Sequence, residues 1–118
     1  MNLAGKKIVV VGLGRTGTAT VRFLNKRGAS VTATDTANEK MLGSQVQMLR
    51  EMGIRLELGQ HRARTFENAD LIIISPGVSH SIEPVKNAQA RGIPVIGEVE
   101  LAARFIREPI MAVTGTNG

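Results

Sequence analysis

Short apolar runs alternate with amphipathic stretches along the chain, and glycine punctuates the joins. Lys7 to Val11 is a nearly unbroken β-branched run, the pattern of a parallel strand buried on both faces. Thr16 to Arg27 reads as a helix with Gly17, Val21 and Leu24 on one face and Gly28 as its stop. Ser30 to Thr34 is a second strand, ending at Asp35. Thr36 and Glu39 have capping-box spacing and open a second helical stretch, with Leu42, Val46 and Leu49 as its buried stripe. Gly43 weakens the first turn of that stretch and Gly53 ends it. Ile54 to Leu58 is a short third strand, and Gly59 to Asn68 is polar, a loop or a single helical turn.

Leu71 to Ile74 is the strongest strand signal, followed by a Ser75-Pro76-Gly77 turn. Ile82 to Arg91 forms a third helix with Ser81 as N-cap and Gly92 as stop. Pro94 to Ile96 is a brief fifth strand. Glu98 to Arg107 is helical with Val99, Ala102 and Ile106 on one stripe, and Ile110 to Val113 is a strand running into Gly115. Helices between apolar strands require crossovers, which are right-handed in nearly all cases. The predicted fold is α/β: a Rossmann-like, doubly wound, mostly parallel sheet of five strands. Pro109 marks a boundary, with one domain over 1–108 and the first strand of a second over 109–118.

Composition narrows the function classes. At 118 residues the chain is one domain that buries roughly 65% of its unfolded surface. Only 3% of residues are aromatic, so the core is aliphatic. A net charge of +5 comes from 15 basic residues spread along the chain, without the clusters and interleaved aromatics of nucleic-acid binders. The absence of cysteine excludes disulfides and thiolate metal sites, and the two histidines, His61 and His80, are expected at the surface. No stretch approaches the ~20 apolar residues of a membrane span. A cytoplasmic protein is the expectation.

Gly12, Gly14 and Gly17 stand directly after a strand and open a helix. There Gly12 permits the tight turn, Gly14 lets backbone approach a pyrophosphate, and Gly17 lets helix pack on strand. Free N–H groups and the positive helix end then attract an anion. Arg15 can add charge, and Thr16 is either a helix cap or a hydroxyl donor to phosphate. Asp35 ends the second strand, where a carboxylate recognises a ribose or base donor or else caps a helix; Thr36 competes as N-cap. Ser75, Pro76 and Gly77 lie at the carboxyl edge of another strand and can wall the same crevice. At the other end, Gly115, Thr116, Asn117 and Gly118 follow a strand as a phosphate loop does, with Val113 where the strict pattern has its first glycine.

Taken together, the segments Val11 to Gly17, Asp35, Ile74 to Val78, Gly92 to Leu101 and Val113 to Gly118 resemble the front part of the Mur ligase family, the ATP-dependent amide ligases of peptidoglycan synthesis. The Ser-Pro-Gly and Gly-Glu-Val-Glu-Leu segments favour the member that adds D-glutamate to UDP-N-acetylmuramoyl-L-alanine over its alanine-adding relative. The resemblance implies that Gly14, Arg15, Thr16 and Gly17 hold the pyrophosphate of the UDP-sugar. It places Asp35 and Thr36 at the uracil end and Ser75 to Gly77 along the adjoining wall. It further implies that Gly115 to Gly118 begin the ATP loop, and that ATP and magnesium belong to a central domain beyond this chain. The chain alone is then expected to be catalytically silent. A competing reading from the glycines and Asp35 is an NAD(P)-binding module of a dehydrogenase or of a ligand-sensing regulator.

Overall fold

The computed structural model describes residues 2–105. At its centre is β1 (Lys7–Val11), whose last four residues are buried. It pairs in parallel with β2 (Ser30–Asp35) on one side and with β4 (Leu71–Ile74) on the other. β3 (Arg55–Leu58) flanks β2 and β5 (Val95–Gly97) flanks β4, giving a parallel sheet of order β3-β2-β1-β4-β5. Val11 is opposite Thr34 in one register and opposite Ile74 in the other, so three strands end level at the carboxyl edge. This is the expected doubly wound sheet, with the strand order reversing direction between β1 and β4.

Alternation along the strands feeds two apolar layers. Ile8, Val10, Val31, Ala33, Leu71 and Ile73 pack beneath α1 (Arg15–Lys26) and α3 (Gln45–Glu51), with Val21, Leu24 and Leu49 pointing inward. Val9, Val11, Ile72 and Ile74 face α4 (Ala63–Glu67) and α5 (Glu83–Ala90), where Phe66, Val85 and Ala88 complete the layer. Residues 98–105 form a further helix, α6, with Leu101 in the first layer.

Several local expectations are corrected. The second helical stretch is two helices, α2 (Glu39–Leu42) and α3, because Gly43 adopts φ +81° between them. Thr36 is not the N-cap: Asn38 is, its Oδ1 accepting from Met41 N–H, two residues nearer the helix. Ser81 does not cap α5 either. The N-cap is Ile82, a proline in the first turn fixes the start, and the Ser81 N–H donates to Ser79 Oγ instead. The stripe of α6 is offset by one position. Leu101 is buried and Phe105 partly so, while Val99 and Ala102 are exposed. Ile106, Pro109 and the strand expected at 110–113 lie outside the described residues.

Candidate functional site

The glycine loop is fastened from four directions. Gly12 N–H donates to the Thr34 carbonyl at 2.9 Å, and Leu13 N–H donates to Asp35 Oδ2 at 2.7 Å. The Leu13 carbonyl accepts from Gln45 Nε2 at 3.3 Å, and the Gly12 carbonyl accepts from Ser75 Oγ at 3.2 Å. Gly12 has φ +102°, and a Cβ there would lie 2.8 Å from Ser75 Oγ. At Gly17 a Cβ would lie 1.9 Å from the Gly12 carbonyl oxygen, so α1 meets the loop at a distance only glycine allows. At Gly14 a Cβ would meet nothing within 4 Å. The first and third glycines are therefore required by packing, and the middle one faces open space.

With the loop so fastened, the start of α1 is left with unused donors. The first helical bond runs from Thr18 N–H to the Gly14 carbonyl. Among the described residues, the N–H groups of Gly14, Arg15, Thr16 and Gly17 have no protein acceptor. Gly14 is the N-cap and supplies no side chain, and no acidic residue sits in the first turn. Twelve residues of helix thus present a positive end, with Arg15 and Thr16 exposed beside it. Thr16 does not cap the helix; it lies inside the first turn, where its carbonyl accepts from Thr20 Oγ1.

Asp35 stands at the end of β2, half-buried. One carboxylate oxygen accepts from Leu13 N–H, and the other accepts from Ala37 N–H at 2.8 Å. It braces the loop, and each oxygen keeps a lone pair for a further donor. Thr36 beside it is exposed. Ser75 is buried and reaches inward, whereas Pro76 and Gly77 are exposed at the end of β4. Ser75 N–H donates to the Val11 carbonyl, extending the β1–β4 pairing into the turn. The structure thus gathers Gly14 to Gly17, Asp35, Thr36 and Ser75 to Gly77 at one sheet edge, at the reversal of strand order. Gly115, Thr116, Asn117 and Gly118 lie outside the described residues.

Three contributors escaped the sequence reading. Gln45 braces the loop from α3. His61, expected at the surface, is half-buried with Nδ1 2.8 Å from the hydroxyl of fully buried Thr34 and its ring edge-on to Phe66. Burial holds the His61 pKa below its ordinary value, against the opposing charges of Asp35 and Glu57. Glu98 is buried, and its Oε1 accepts from Ser75 Oγ at 2.7 Å. Its place directly after β5, at the ligand-binding edge of the sheet, was the available signal.

A cleft of about 480 Å³ lies elsewhere, between the amino-terminal halves of the strands and α4, with Lys7, Arg55, Arg62 and Arg64 on its walls. The single carboxylate among its lining residues, Glu57, is engaged by the Thr65 hydroxyl. Volume alone does not favour it, because the helix end and the unused N–H groups converge at the opposite edge.

The family model described as Mur ligase MurD-like, N-terminal domain, matches residues 6–97. The chain belongs to the Mur ligase family. A UDP-N-acetylmuramoylalanine--D-glutamate ligase from Desulfatibacillum aliphaticivorans is 58% identical over 118 residues, all of this chain and 26% of that protein. The fold is shared with a pseudomurein peptide ligase type C from Methanothermus fervidus, with TM-score 0.68 and 29% identity over 82% of this chain and 20% of that one. UDP-N-acetylmuramate-alanine ligase MurC from Thermotoga maritima superposes with TM-score 0.73 over 87% of this chain and 23% of its own; at 21% identity this speaks to fold alone. The chain spans about a quarter of the length of the curated relatives it matches. The match is to a Mur ligase front domain, and the dehydrogenase-module reading is not favoured.

Proposed function

We propose that this chain is the uridine-nucleotide grip of an ATP-dependent ligase that adds D-glutamate to UDP-N-acetylmuramoyl-L-alanine in the cytoplasm. The observation that carries the reading is the set of unused N–H groups at the start of α1, on a loop that matches the family's front domain. Gly14 to Gly17 would hold the pyrophosphate, with Arg15 and Thr16 adding a charge and a hydroxyl. Asp35 would use its remaining lone pairs, with Thr36, toward the uracil end, and Pro76 and Gly77 would form the opposing wall.

In this reading, residues 1–108 form the grip and 109–118 open an ATP domain whose loop begins at Gly115 to Gly118. There an oxygen of the alanyl carboxylate would attack the γ-phosphorus of ATP and ADP would leave; a bound magnesium ion would supply charge neutralisation. The glutamate amine then attacks the acyl carbon and phosphate departs. The grip contributes by positioning, which converts remote binding into a correctly placed carboxylate.

Titration of the chain with UDP and, separately, NAD, followed by amide NMR, tests the proposal. UDP is expected to shift Gly14 to Gly17 and Asp35 with a Kd on the order of millimolar. Shifts with NAD and none with UDP would refute it.

A further inference from the structure

Glu98 is a carboxylate of which only 9% of the residue remains exposed, at the start of α6. Among the described residues its one hydrogen-bond partner is the Ser75 hydroxyl. A carboxylate is expensive to bury, and an apolar residue in its place would fill the space without that cost. What the carboxylate adds is direction. A serine hydroxyl rotates freely, and here its single proton lies between two acceptors: Glu98 Oε1 at 2.7 Å and the Gly12 carbonyl at 3.2 Å.

The Ser75 oxygen stands at a three-way junction. It is 2.8 Å from where a Cβ of Gly12 would project and 3.3 Å from where one of Gly17 would. Any rotation of Ser75 therefore alters the contact that the loop carrying the unused donors makes with this oxygen. We propose that Glu98 is a positioning residue for the phosphate loop, acting through Ser75 to fix the Gly12 peptide and hence the donors of Gly14 to Gly17. This rests on the reading of that loop as the pyrophosphate grip. It also ties the loop to α6, so a shift of that helix reaches the anion site through two side chains.

The test compares Glu98→Ala, Glu98→Gln, Ser75→Ala and the double variant Ser75→Ala/Glu98→Ala, using free-chain amide spectra, UDP titration and thermal midpoint. Glu98→Ala is expected to move the amides of Gly12 to Gly17 in the free chain and to raise the Kd for UDP about fivefold to tenfold, as for one lost hydrogen bond. Glu98→Gln, whose amide oxygen still accepts, should stay within about twofold of the unmodified chain. In the Ser75→Ala background, removing Glu98 should cost no further affinity.

A merely structural Glu98 would lower the midpoint and leave both loop amides and Kd in place, which overturns the proposal, as do additive losses in the double variant. If Glu98→Ala does not fold, Glu98→Gln and Ser75→Ala carry the decision: equal loss in both overturns it, and loss in Ser75→Ala alone supports it. Absence of UDP binding by the unmodified chain would refute the grip itself, while the loop amides of free Glu98→Ala would still decide the positioning.

Discussion

The same substitution at two glycines of one loop should give opposite results. In Gly17→Ala the new methyl would lie 1.9 Å from the Gly12 carbonyl oxygen, a backbone atom that cannot swing aside as a flexible side chain could. Ordinary contact begins at 3.4 Å, so α1 and the loop must part by about 1.5 Å. Overpacking costs ~1–3 kcal/mol, and opening this seam also loosens the Ser75 contact, so about 3 kcal/mol is expected. That is a large part of the ~5–15 kcal/mol of a typical domain and lowers the midpoint by roughly 10 °C. Gly14 has φ −69° and ψ −168°, open to any residue, and space beyond. Gly14→Ala loses a favourable N-cap residue but narrows the unfolded ensemble, leaving stability within about 1 kcal/mol. Its methyl would project beside the unused donors and should weaken UDP binding about tenfold or more. Without Trp or Tyr, the unfolding assay is urea denaturation followed by far-ultraviolet circular dichroism. A Gly17→Ala chain as stable as the original would refute the packing argument. A Gly14→Ala chain with unchanged affinity would refute the placement of the pyrophosphate.

Asp35→Ala should act on both fold and ligand, because it strands the N–H groups of Leu13 and Ala37. A stability loss of ~1–3 kcal/mol and a similar loss in UDP binding are expected; an unchanged Kd in the folded variant would leave Asp35 as a loop brace only. His61 should give the stability a pH dependence. Burial lowers its folded pKa below 6.5, so the unfolded chain takes up the proton first. Its contribution is full above pH 6.5 and is lost as the pH falls from there through the folded pKa. Urea midpoints measured between about pH 5.5 and 7.5 should show this slope in the unmodified chain and lose it in His61→Gln, with parallel curves counting against the burial argument.

The sheet was legible because its strands are short apolar runs, each closed by glycine or a turn, and the spacing allowed only parallel crossovers. Positions at strand ends were legible too: Asp35 and Ser75 lie at the carboxyl edge because that is where their strands stop. Direction was harder. Val99 and Ala102 against Leu101 and Phe105 are two apolar stripes offset by one position on one helix, and periodicity cannot choose between them. Contacts with the rest of the fold choose, with Leu101 in the first apolar layer. Caps failed for a related reason, since Thr36 and Ser81 have the right chemistry but Asn38 and Ile82 have the backbone geometry. The inward turn of Ser75 could not be read at all, because its partner lies 23 residues further along the chain.

The fastenings of the glycine loop close stretches of 22 residues from Leu13 to Asp35 and 63 from Gly12 to Ser75. None is local, so no short peptide cut from this chain can contain the pocket. A ligand that recognises it meets only the assembled sheet and draws on the free energy of the whole fold. By mass action, UDP at about ten times its Kd should stabilise the entire domain by ~1.4 kcal/mol. Thermal shift then becomes a binding assay that needs no catalytic turnover, and every residue of the core reports on the ligand.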